Sequence, residues 1–386
     1  MPLRRFLVPS LAALAMVVMS AATCAPPGSL LGPGPGKSAA TLPAIAPIGR
    51  PIAYEADVKP VLENRCVVCH ACNDGPCQLL FSSPDGIARG ASKEGVYDTS
   101  RLEAMKPTRL GIDATTTAEW REKAFFSVLG GDGNSLLLRM LALGKASPFP
   151  ASERLPASVD LDIGRKLTCA NPDEFDGYAE KHPQGGMPYG MAPLGEEELG
   201  TLASWATQGA PMPTQPEAPP ARAQQHVKSW ESFLNGDSLK QRVVTRYLYE
   251  HWFVAHLYFD DLPAGPFFRV VRSRTPSGQP IDEVATRRPY DDPGAPIYYR
   301  LRPIEGTIVH KTHILYELSS ARMTRLQELF LVADWQPTRF PSYANDVASN
   351  PFIAFAEVPP RSRYQYLLDD AHYFVDTFIR GPVCRG

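Results

Sequence analysis

Apolar positions change their spacing several times along the chain, and each change predicts an element. The first run, Phe6 to Met19, is continuous; Arg4 and Arg5 precede it and Ser20-Ala21-Ala22 follows. Those are the three parts of a secretory signal, over 1–25. The run is shorter than the ~20 apolar residues that a membrane span needs, so cleavage and a periplasmic mature protein are expected. Residues 26–52, rich in Pro, Gly and Ala, read as a tether. A helical pattern opens near Tyr54 and runs through Asp57-Val58-Lys59-Pro60-Val61-Leu62 into a cysteine cluster. Helical spacing returns at Asn134–Met140 and at Glu196–Trp205, the latter stopped by Gly209-Ala210-Pro211. Four prolines between Pro213 and Ala223 mark a linker over 213–224. Beyond it, Lys240–Phe259 predicts one aromatic-rich helix, Phe267–Arg272 and Ile297–Leu301 predict strands, and Met323–Leu331 and Tyr364–Ile379 predict helices.

Composition narrows the function classes. Hydrophobic residues make up 44% of the 386 and charged residues 21%, a globular balance that excludes intrinsic disorder. A formal charge of −2 provides no basic field for nucleic acid. A nucleotide partner is also not expected, because the chain has no Gly-x-Gly-x-x-Gly or Walker-type loop.

The cysteines carry the chemistry. Cys66-Val67-Val68-Cys69-His70 is a Cys-x-x-Cys-His motif, the spacing of covalent haem attachment. Two thiols on one helical turn reach the two vinyl groups of the macrocycle, and the adjoining histidine becomes the proximal iron ligand. One haem c on Cys66, Cys69 and His70 is therefore expected, and export fits it. The rival is the full cluster Cys66-x2-Cys69-x2-Cys72-x4-Cys77, close to an iron–sulfur run or a four-thiolate zinc site. Its last gap is one residue longer than the ferredoxin spacing, and no proline follows. Met187, in Gly185-Gly186-Met187-Pro188, is the candidate distal ligand, with Met191 the alternative. A glycine turn, Met-Pro and a following helix resemble the distal half of a cytochrome c domain. The expected fold is thus mainly α with a small antiparallel β portion. A cytochrome c-like helical domain with insertions (53–212) precedes an α+β domain (225–386). Cys72, Cys77 and Cys169 are candidates for a disulfide, with Cys384 a further partner.

Longer segments resemble the bacterial fatty acid cis/trans isomerases. They are Glu63–Leu79 (ENRCVVCHACNDGPCQL), Gly86–Asp98 (GIARGASKEGVYD) and Thr117–Phe125 (TAEWREKAF), then Leu248–Phe259 (LYEHWFVAHLYF), Phe267–Pro276 (FFRVVRSRTP) and Tyr366–Gly386 (YLLDDAHYFVDTFIRGPVCRG). The resemblance runs from about residue 52 to the end. It implies a periplasmic c-type haem enzyme that converts cis-unsaturated fatty acyl chains of membrane lipids to trans under solvent or heat stress. His70 would act through the haem iron, without ATP or NAD(P)H. Partners would be unsaturated fatty acids or phospholipid acyl chains, with peripheral membrane contact. Family chains continue past the position of Gly386, so a truncated second domain is expected. The competing class is a periplasmic electron-transfer cytochrome with a partner-binding domain. An isomerase needs an apolar slot, for which Leu248, Trp252, Ala255 and Phe259 recur at helical spacing; an ordinary buried helix has the same pattern. His251, His256, His310 and His313 read as structural, because double-bond rotation moves no proton.

Overall fold

Tyr54, Val58, Leu62 and Cys66 recur every four residues and are all buried, one stripe of a helical run. The computed structural model describes residues 42–73, 75–96, 106–130, 134–149, 154–156, 159–160, 167–213 and 218–379. The expected signal segment 1–25, most of the tether 26–52 and Cys384 lie outside the described residues.

Short helices fill the N-terminal part: α1 (Lys59–Arg65), α2 (Pro84–Arg89), α3 (Thr117–Glu122), α4 (Leu136–Ala146), α5 (Phe175–Lys181) and α6 (Glu196–Thr207). The α1 stripe packs with Leu137 and Leu141 of α4 and with Leu199, Leu202 and Trp205 of α6. Ser135 caps α4 by accepting from the Leu138 N–H at 3.3 Å. After α6, Gly209 and Ala210 adopt positive φ (86° and 50°), which turns the chain where the Gly-Ala-Pro stop predicts it.

The remaining residues build around α7 (Ala221–Leu234) and α8 (Leu239–Trp252). Strands β1 (His256–Phe259), β2 (Phe268–Ser273), β3 (Tyr298–Pro303) and β4 (Leu315–Leu318) form a sheet ordered β3-β2-β1-β4. Helices α9 (Ser320–Leu326), α10 (Asn345–Ala348), α11 (Pro351–Ala354) and α12 (Pro360–Ile379) follow. Of the expected linker, residues 214–217 lie outside the described residues and α7 begins at Ala221.

Two expectations need correction. The helix predicted over Lys240–Phe259 ends at Trp252, and the chain re-enters as β1. Leu248, Trp252, Ala255 and Phe259 are all fully buried in one core, so a helical stripe and a strand alternation share one apolar spacing. They fill that core and do not form an acyl slot. The sheet is also mixed, not antiparallel. β1 pairs β4 in parallel, from His256 opposite Leu315 to Phe259 opposite Leu318. The loop after β3 supplies the crossover that a parallel pair requires, and the His256 N–H donates to the Ile314 carbonyl at 2.7 Å.

Candidate functional site

The Cys66–His70 segment continues α1 as a tight turn. The Cys66 N–H donates to Leu62 O (2.8 Å), and the N–H groups of Cys69 and His70 both donate to Cys66 O (3.2 and 3.0 Å). Both thiols thus project from one turn. Cys66 is buried and Cys69 exposed, and neither is in a disulfide. Burial pushes the Cys66 thiol up to about 12, so it holds its proton. Arg65 anchors the turn from behind by donating to the carbonyls of Ala192 and Pro193 (2.7 and 2.9 Å), just before α6.

His70 is fixed from both sides. Its ring Nδ1 lies 3.2 Å from the Leu79 carbonyl, its own carbonyl accepts from the Phe81 N–H (2.8 Å), and the Phe81 ring stands edge-on to it at 5.5 Å. A carbonyl only accepts, so Nδ1 carries the hydrogen and the lone pair sits on Nε2. That tautomer is the one an iron-ligating histidine uses when a backbone carbonyl orients it.

The loop that presents Leu79 is held covalently. Cys77 is bonded to Cys169 (Cα–Cα 5.6 Å), and Cys72 is also disulfide-bonded. A ligand set of four thiolates over Cys66, Cys69, Cys72 and Cys77 therefore loses half its members. The iron–sulfur and zinc alternatives need thiolates at all four. Two unpaired thiols beside an oriented histidine fit covalent haem better.

Met187 joins the same apolar cluster. Its N–H donates to Met140 O on α4 (2.9 Å), and its partly buried side chain packs against the apolar cluster that holds Cys66, Val67 and Phe81. Met191 is 40% exposed, which favours Met187 as the residue facing that cluster.

Sequence reasoning missed Arg89. Its guanidinium is fully buried, donates to the carbonyls of Gln78 and of Thr108 (the latter at 2.9 Å), and lies over the Trp120 and Phe125 rings at 5.4 and 4.9 Å. Burial pushes it down to about 10. It joins three of the segments that carry the family resemblance, and an arginine between small and apolar residues in Gly86–Gly90 was the available signal. The histidines divide: His256 and His313 stack edge to face at 4.4 Å, His251 Nδ1 donates to Tyr247 O (2.7 Å), and His310 meets the Phe267 ring at 6.2 Å. A cavity of about 190 Å³ opens between α7 and α9, lined by His226, Trp230 and Met323, and takes in none of the predicted site residues.

A helical part that presents two thiols and a histidine on one turn is followed by an α+β part with a mixed sheet. The chain belongs to the fatty acid cis/trans isomerase family, whose model matches residues 105–386. The match begins after the Cys66–Cys77 cluster and covers α3 onward. No curated protein and no solved structure matches the chain.

Proposed function

We propose that the chain is a periplasmic, haem c-dependent isomerase of unsaturated fatty acyl chains. Family membership gives the activity in general, cis/trans isomerisation of fatty acids. One observation carries the finer reading: Cys66 and Met187, far apart in sequence, pack into a single apolar cluster beside the oriented His70. Cys66 and Cys69 would hold the macrocycle, and His70 and Met187 would hold the iron.

The reaction itself calls for an electrophile. Even the partial double bond of a peptide resists rotation by about 18–20 kcal/mol, and a full C=C bond resists much more. Ferric haem, when bound, would supply an electrophilic centre. This chain's residues do the rest. Leu79 fixes the His70 ring, the buried Val67 and Phe81 line the apolar side of the turn, and Met187 would be a second residue able to hold the iron. Cis to trans is downhill, so no nucleotide is consumed.

Membrane contact belongs to the same proposal. Tyr364, Leu367, Leu368, Val375, Phe378 and Ile379 are exposed and fall on one face of α12. Among the described residues no helix is long and apolar enough to cross a membrane.

The test is direct. Protein carrying one covalent haem is incubated with palmitoleic acid, and trans product is measured by gas chromatography. Haem-dependent accumulation is expected. A fully haem-loaded protein that exchanges electrons yet forms no trans product would make it an electron-transfer cytochrome.

A further inference from the structure

His256, Arg269 and Arg302 lie in one row across three strands. The β1–β2 register sets Leu257 opposite Phe268, which puts His256 beside Arg269, and Arg269 stands directly opposite Arg302 on β3. Leu257, Phe268, Val270 and Leu301 turn into the core, so by alternation the row occupies the other face. Like charges directly opposite each other on neighbouring strands destabilise a sheet.

Little on this face offsets them. Glu283 lies 3.2 Å from the Arg302 guanidinium, yet its Oε2 has no hydrogen-bond partner. Arg109 reaches the same region but is closed on Asp113 by two hydrogen bonds of 2.9 Å. Glu305, exposed beyond the end of β3, attracts Arg302 through space but makes no close ion pair with it among the described residues. Polar atoms are left over: the Arg302 Nε donor and the His256 Nδ1 ring nitrogen are both shut off from solvent without a hydrogen-bond partner. The Arg302 side chain is still 27% exposed, which leaves an approach. Arg269 donates to the Phe253 carbonyl at 3.1 Å.

We propose that this row is an anion site for the carboxylate or phosphate head of an acyl lipid, which rests on the fatty-acid reading above. An oxyanion between Arg269 and Arg302 replaces a like-charge contact with charge-assisted hydrogen bonds, and a guanidinium fits two oxygens at once. The row also leads to the thiol turn. Past β3, Thr307 donates through N–H to Ser82 O (2.8 Å) and through Oγ1 to Glu63 (2.6 Å), and Val309 packs against the cluster that holds Cys66. The head site is at one end of this loop and the Cys66 cluster at the other.

Titration calorimetry on the full chain compares palmitoleate, a palmitoleoyl lysophosphatidate and neutral methyl palmitoleate. At least one anion should bind about tenfold or more tighter than the ester, the scale of a hydrogen bond to a charged group. A carboxylate preference identifies free acid as the source; a phosphate preference identifies the phospholipid head. Arg302→Met should abolish the preference and leave ester binding unchanged, Arg302→Lys should keep part of it, and Glu283→Gln should strengthen anion binding. Circular dichroism verifies that each variant is folded. Equal binding of ester and both anions, or a preference that survives in folded Arg302→Met and Arg269→Met, overturns the site. Trans product formed equally from acid and ester would defeat the site but not the isomerase; anion preference without any trans product would do the reverse.

Discussion

Gly186 and Gly144 meet backbone to backbone: a Cβ at Gly186 would lie 2.0 Å from the Gly144 nitrogen, and one at Gly144 would lie 2.3 Å from the Met187 carbonyl oxygen. Gly186, directly before Met187, is thus required by close packing on α4, and that packing positions the methionine. Gly186→Ala should destabilise by about 1–3 kcal/mol, the usual cost of forcing atoms into a packed contact. It should also shift Met187 without touching the thiols. Thermal melting and the visible spectrum of the haem-loaded protein check this, with covalent haem retained. An unchanged melting point and spectrum would show that Met187 is held by something else.

The Cys77–Cys169 bond closes a loop of 92 residues in sequence. A cross-link over so long a segment stabilises chiefly by restricting the unfolded chain, typically by about 2–4 kcal/mol. Cys169→Ser should lose stability of that order in urea unfolding. Covalent haem should remain, because Cys66 and Cys69 are not in this bond. A variant with an unchanged midpoint would mean that the loop is ordered by its other contacts alone.

Stability should also fall on mild acidification. Burial pushes His251, His256 and His313 down from the ordinary imidazole value of 6.5, furthest for His256, where His313 and Arg269 add to the effect. Below 6.5 the unfolded chain therefore binds more protons than the folded one, and stability present above 6.5 is lost as pH drops through that value. Burial pushes the paired carboxyls of Glu250 and Asp370 up, which acts in the opposite sense, so the His256→Gln comparison is what isolates the histidine part. Urea midpoints at pH 7.5 and 5.5 should differ, and His256→Gln should narrow the gap. Equal midpoints at both pH values would count against it.

How much of this was legible in the sequence depends on whether a local rule had a rival. Helix α6 was readable because its Gly-Ala-Pro stop is a backbone signal that tertiary contacts do not override. The pairing partners β2 and β3 were readable from residue type. The break after Trp252 was not, since Ala255 and Phe259 continue the helical spacing while serving the same core from a strand. β4 was missed because a four-residue strand gains its identity only from lying beside β1. At the site, the motif gave the thiols and the histidine, whereas Leu79 as the group that orients His70 depends on a chain reversal fixed by positive φ at Cys77 and Gln78.

The strongest test of the proposed site compares His70 with Met187. Both face one apolar cluster or its edge, but only His70 has a ring oriented by a carbonyl, while Met187 is placed by its backbone and reaches the cluster with a flexible thioether. We expect Met187→Ala to keep covalent haem on a denaturing gel and to lose the low-spin spectrum. A ligand that competes with substrate lowers the competent fraction, and apparent affinity falls by that fraction. Isomerase activity of Met187→Ala should therefore be intact or raised, whereas His70→Ala should abolish it. Cys69→Ala should lose one of two thioethers, seen as a shifted haem spectrum after denaturation. An unchanged spectrum in Met187→Ala would make the methionine a packing residue. Complete loss of activity with haem retained would mean that Met187 is needed bound rather than displaced, so that the methionine tunes the iron and does not yield to the substrate.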